Sequence, residues 1–172
     1  MYRIRFHGRG GQGMKTAGRI LGSAFFLEGF EVQDSPRYGA ERRGAPLTSA
    51  VRAARSPIYE RGIILKPDLV VVADDTLVPV PAAGVLQGVE DRTAILIDSD
   101  VSEPKWHQRL QINSVIHTLP APKDLDRAET PYVGSLCAGA AARLTGMISR
   151  RSLEHAVRDE LPDFKENVIE EN

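Results

Sequence analysis

A single cysteine, Cys137, is all the thiol chemistry this sequence has. One thiol cannot form an internal disulfide, a Cys-x-x-Cys pair or an iron–sulfur site. It lies in YVGSLCAGAAARL among small residues at helical spacing, which predicts a buried, inert thiol rather than a nucleophile. Histidine is also scarce. His7, His107, His117 and His155 are scattered, none at metal-ligand spacing from another histidine or a cysteine, so no metal site is expected in this chain. An excess of charge is lacking too. With 22 Lys and Arg against 23 Asp and Glu, the net charge is −1, and nothing global points to nucleic acid or to a membrane surface. No apolar run approaches the roughly 20 residues of a membrane span. The start, MYRIRFHG, has no apolar stretch of a secretory signal, and a cytoplasmic location is expected.

What is present is ordinary for a folded chain: 172 residues, 42% of them apolar and 26% charged. That suits one domain over 1–172, with about 163–172 as a tail or short helix. YRIRF reads as a strand by its alternation. MKTAGRILGSAFFLEGF puts Ala17, Ile20, Leu21, Ala24 and Phe25 on one helical face, with Gly29 as its stop. EVQDS and LTSAVRAA are weaker strand candidates on either side of the loop Pro36–Pro46. DLVVVAD, Asp68–Asp74, and TAILIDSD, Thr93–Asp100, are apolar runs of the kind covered on both faces in a parallel sheet, and SVIHTL is a weaker third. Between the first two, TLVPVPAAGVLQGV has room for a helical turn or two. YVGSLCAGAAARLTGMI predicts a helix ending near Gly146. SRRSLEHAVRDEL predicts another, capped by Ser149 or Ser152 and stopped by Pro162. The order argues an α/β fold: a three-layer α/β/α domain on a mostly parallel or mixed sheet, with a Rossmann-like glycine loop after the first strand.

That loop is HGRGGQG, His7–Gly13. A strand, a glycine turn and a helix start make an anion cradle: glycines let a ligand approach the backbone, and the helix N-terminus favours negative charge. Arg9, Lys15 and Arg19 lie on or just past it. Gly8, Gly10 and Gly13 match G-x-G-x-x-G, and Asp34 stands about 20 residues on, where a ribose-binding acid belongs. This supports a stand-alone NAD(P)-binding protein as one reading, though no catalytic His or Tyr/Lys pair accompanies it. A P-loop fits less well, because Met14 separates Gly13 from Lys15-Thr16. The second loop, PRYGAERRGAP, sets Arg37, Tyr38, Glu41, Arg42 and Arg43 among small residues. Paired arginines suit bidentate contacts to phosphate or carboxylate.

GRGGQG-x-x-T-A at Gly8–Ala17, taken with YGAERRGAP at Tyr38–Pro46, resembles the gamma subunit, or gamma domain, of the 2-oxoacid:ferredoxin oxidoreductases of the pyruvate/ketoisovalerate type. PDLVVVAD and GAAARLTGMISRRSLEHAV extend the resemblance over most of the chain; the tail after Pro162 is shorter than is usual in the family. The resemblance implies a multi-subunit enzyme that decarboxylates a 2-oxo acid on thiamine diphosphate and Mg²⁺. Electrons pass through [4Fe-4S] clusters to ferredoxin, or to NAD by way of a flavin subunit, and the acyl group goes to coenzyme A. It implies alpha and beta thiamine-enzyme subunits and a ferredoxin-like delta subunit as partners, since this chain has neither cluster cysteines nor a G-D-G…N thiamine motif. No catalytic residue is expected here. Gly8, Arg9, Gly10, Gly11, Gln12, Gly13 and Thr16 would form the cradle, and Arg42 and Arg43 would meet coenzyme A phosphates or partner carboxylates. Glu41 would orient those arginines, and Arg37 and Tyr38 would lie at the interface.

Overall fold

The computed structural model describes residues 1–36, 44–119 and 133–161. The first strand, β1 (Tyr2–Arg9), alternates as its sequence predicts: Ile4 and Phe6 enter the main core, and Arg5 and His7 line the other side. After the glycine turn, α1 (Met14–Leu27) buries Ala17, Ile20, Leu21, Ala24 and Phe25. Gly29, at φ +79°, lets the chain reverse, and the Phe30 N–H returns to the Phe25 carbonyl at 3.1 Å.

Strands β2 (Glu31–Pro36), β3 (Pro46–Ala54), β4 (Leu69–Val72), β5 (Ala94–Asp98) and β6 (Val115–Leu119) complete a six-stranded sheet ordered β2-β3-β1-β4-β5-β6. β1, β4, β5 and β6 pair in parallel, whereas β3 runs antiparallel to both β1 and β2. The sheet is therefore mixed. The unbroken apolar run at β4 is explained by two covered faces. Leu69 and Val71 join one core; Val70 and Val72 join the other.

Helices α1, α3 (Val133–Thr145) and α4 (Arg150–Glu160) build the first core over Ile4, Phe6 and Val51. Fully burying side chains such as Ile4 and Phe6 stabilises the fold by about 1.5–3 kcal/mol each. Ser149 caps α4 by accepting the Ser152 N–H at 3.2 Å, and the Glu28 carboxylate accepts the Ser149 N–H at 2.9 Å, joining the end of α1 to the start of α4. The opposite layer is thinner. It consists of α2 (Glu103–Leu110) and two 3-10 turns, Asp75–Leu77 and Pro81–Ala83, cut from the proline-interrupted stretch. Helix α2 is absent from the sequence expectation. Only Trp106 of its eight residues is buried, so it has no apolar stripe to read; the indole N–H fixes it by donating to the Ser99 hydroxyl at 3.2 Å. The expected tail at 163–172 lies outside the described residues.

Candidate functional site

The glycine loop leaves β1 at its C-terminal end and winds directly into α1. Gly11 and Gly13 take φ +100° and +73°, left-handed values that favour glycine. Gly8 serves a different need: a Cβ there would lie 2.6 Å from the Met14 side chain, so its absence lets the start of α1 pack onto β1. Gln12 closes the turn on itself. Its side-chain oxygen accepts the Arg9 N–H at 2.7 Å, and its own N–H donates to the Arg9 carbonyl at 3.0 Å. Thr16 sits half-buried in the first turn of α1.

The two loop motifs meet. The Gly10 N–H donates to the Ala45 carbonyl at 2.9 Å, and the Gly44 N–H donates to the Gly10 carbonyl at 3.2 Å. The C-terminal end of the arginine loop is thereby pinned to the glycine turn. Arg37, Tyr38, Glu41, Arg42 and Arg43 themselves lie outside the described residues. A third element reaches the same place: Gly134, in the first turn of α3, packs so closely that a Cβ on it would sit 2.5 Å from the Gly13 carbonyl oxygen. Two helix starts thus converge on one turn, the end of a helix where N–H groups lack intrahelical acceptors.

The basic side chains near the loop are largely engaged in holding the fold. Arg9 donates through Nε to Asp74 at 2.6 Å, through one terminal nitrogen to the Gly44 carbonyl at 3.0 Å and through the other to Thr76 at 2.8 Å. Burial tends to raise the Asp74 pKa, but the hydrogen bonds from Thr76 and Arg9 outweigh it and hold the carboxyl below its ordinary value. Arg9 is therefore a strut between the glycine turn, the second loop and the segment after β4. Arg19 lies further along α1 and pairs with Glu160 of α4 at 2.9 Å.

Asp34 does not stand where a ribose-binding acid would. β3 is inserted between β1 and β2, and at about 4.8 Å per strand this sets β2 roughly 10 Å from β1. The Asp34 carboxyl instead faces α1, 3.3 Å from the position a Cβ on Gly18 would take, with Oδ1 lacking a partner among the described residues. Burial raises its pKa. The strand–glycine–helix unit is local; the dinucleotide arrangement needs a sheet order this chain does not have.

The family model for pyruvate ferredoxin/flavodoxin oxidoreductase matches residues 3–172. The chain belongs to this oxidoreductase family. Chains named gamma subunit or PorC resemble it within that family. The common gamma subunit of the pyruvate/ketoisovalerate oxidoreductases of Pyrococcus furiosus is 37% identical over 164 residues, covering 92% of this chain and 86% of that one. The solved pyruvate oxidoreductase subunit PORC of Thermotoga maritima superposes with a TM-score of 0.79 at 29% identity, covering 98% of this chain and 89% of that one. The same fold recurs in the 2-oxoglutarate:ferredoxin oxidoreductase of Magnetococcus marinus, solved with 2-oxoglutarate, coenzyme A and succinyl-CoA bound. There the TM-score is 0.68 at 21% identity, over 98% of this chain and 28% of that one.

This gamma-type chain keeps its thiol out of reach. Cys137 is fully buried in α3, and burial drives its pKa far upward, so it is not poised as a thiolate. No helix among the described residues is long and apolar enough to cross a membrane. The sequence reading did not single out the buried pair Arg5 and His7 on β1. The signal was present in the alternation R-I-R-F-H, which puts charge on one face of a strand whose other face is core.

Proposed function

We propose that this chain is the gamma subunit of a multi-subunit 2-oxoacid oxidoreductase and contributes assembly and coenzyme A binding rather than bond-breaking steps. The observation that carries the reading is the stitching of Gly10 to Gly44 and Ala45, which holds the glycine turn and the C-terminal end of the arginine loop at one place on the molecule. On this reading the turn at Gly8–Gly13 offers backbone N–H groups and the first turns of α1 and α3 to a phosphate, and Arg42 and Arg43 supply the charge. Gly11 suits such an approach, since a Cβ there would meet nothing within 4 Å. Arg9 acts as the strut of this cradle, with three of its five N–H groups already engaged.

The remaining chemistry belongs to other chains: alpha and beta subunits binding thiamine diphosphate and Mg²⁺, and a ferredoxin-like delta subunit with [4Fe-4S] clusters. Thiamine diphosphate would supply decarboxylation of the 2-oxo acid, with electrons passing to ferredoxin or, through a flavin subunit, to NAD. The reading is tested on the assembled enzyme carrying Arg42→Ala and Arg43→Ala. The expected result is a raised KM for coenzyme A with the KM for the 2-oxo acid unchanged. An unchanged coenzyme A KM in an intact complex would leave this chain with an assembly role alone.

A further inference from the structure

The sheet face opposite α1 holds a buried polar pair that the glycine site does not use. Arg5 and His7 are 5% and 3% exposed and lie two residues apart on β1, their Cα atoms about 7 Å apart. Two nitrogens of Arg5 are engaged, one donating to the Ile64 carbonyl at 3.3 Å and the other to the Val85 carbonyl at 3.0 Å. Its Nε–H has no acceptor among the described residues. His7 Nδ1 lies 3.1 Å from the Ala83 carbonyl. A carbonyl only accepts, so Nδ1 carries the hydrogen and Nε2 is a lone pair; it too has no partner among the described residues. Nor does a carboxylate among the described residues compensate Arg5, whose pKa burial lowers to about 10.

Both residues line a cavity of about 380 Å³, walled in part by the hydroxyl-bearing Ser35 and Thr48 and rimmed by the exposed Ala82. An unpaired N–H on a buried cation calls for an anion's oxygen, and an adjacent imidazole lone pair calls for a donated hydrogen. One group supplies both when bound with a single proton. We propose that this cavity binds a small carboxylic acid, one carboxyl oxygen accepting from Arg5 Nε–H and the other sharing its proton with His7 Nε2. The volume is at the small end for ligand pockets and leaves room beyond the carboxyl group for the rest of a small acid. The site is independent of the coenzyme A reading, because it lies on the other face of the sheet.

Burial, and then the charge of Arg5, lower the pKa of His7 to about 4, so the empty cavity holds a neutral imidazole. Among the described residues, Arg5 is the charged residue of the cavity wall; Ser35 of β2, Thr48 and Ala50 of β3, and Ala83 and Gln87 across from them are neutral. A carboxylate therefore brings a proton in with it, and its affinity falls as pH rises.

The test titrates the full chain with acetate while the His7 ring nitrogens are followed by NMR. The expected result is a saturable shift from the Nδ1-protonated tautomer toward imidazolium, with a Kd of about 1 mM or tighter, weakening as pH rises above about 4, where the imidazole of the empty cavity has lost its proton. Acetamide should leave the ring unchanged. Arg5→Gln should abolish the shift. Because that change also releases two loop carbonyls, Ala82→Trp at the exposed rim must abolish it as well, with thermal unfolding unaltered. No saturable shift, an equal shift with chloride, or unimpaired binding in Ala82→Trp would overturn the proposal. So would an assembled complex in which His7 is already imidazolium and excludes acetate, since a partner's carboxylate side chain would then fill the cavity.

Discussion

His7 makes the stability of the chain depend on pH in a window that can be named. Its folded-state pKa is about 4, against about 6.5 for an unfolded histidine. Between those values the unfolded chain binds a proton that the folded chain refuses. This contribution to stability is therefore complete above about pH 6.5 and is lost as pH falls toward 4, by roughly 3 kcal/mol in all. Urea unfolding at several pH values should show this loss in the parent chain and a shallower one in His7→Gln. Equal slopes would mean that His7 is not held neutral. At this scale the sequence was partly legible. The R-I-R-F-H alternation announces a charged strand face, but not that segments around Ile64 and Ala83, some 60 to 80 residues away, close over it. Arg9 shows the same limit: its position beside the glycines suggests a phosphate contact, and its pairing with Asp74, 65 residues away, has no signal in the sequence.

Elements whose character is set locally were readable, and those set by distant partners were not. β1, β4, β5, α1, α3 and α4 follow from alternation, apolar runs, helical spacing and end signals at Gly29, Gly146 and Ser149. Helix α2 was hidden because a single tryptophan anchors it. The place of β3 between β1 and β2 was hidden because strand order is a long-range choice; this is why Asp34, well spaced for a ribose contact in sequence, ends beneath α1. The contact of α3 with the glycine turn is an element-scale feature with a sharp test. Gly134→Ala would force a methyl group to within 2.5 Å of the Gly13 carbonyl oxygen. Backbone must move to accept it, and overpacking of this kind costs about 1–3 kcal/mol. A lowered thermal midpoint is expected, with amide shifts concentrated at Gly11–Thr16 in NMR spectra; an unchanged midpoint would show that the two helix starts are not tightly coupled.

For the whole molecule, the glycine turn, the end of the arginine loop and the start of α3 gather at one place, while Arg5 and His7 line a separate cavity on the opposite sheet face. The sheet order argues against a free dinucleotide site, so a fluorescence titration of the isolated chain with NADH should show no micromolar binding; saturable binding would revive the dinucleotide reading despite the position of Asp34. A gamma-type chain is expected to work inside a larger enzyme. The most direct test is to tag the chain in its native host, purify it gently and identify what accompanies it by mass spectrometry. Thiamine-enzyme alpha and beta chains with a cysteine-rich cluster subunit are the expected companions. Recovery of the chain as a lone monomer or homodimer would contradict that expectation.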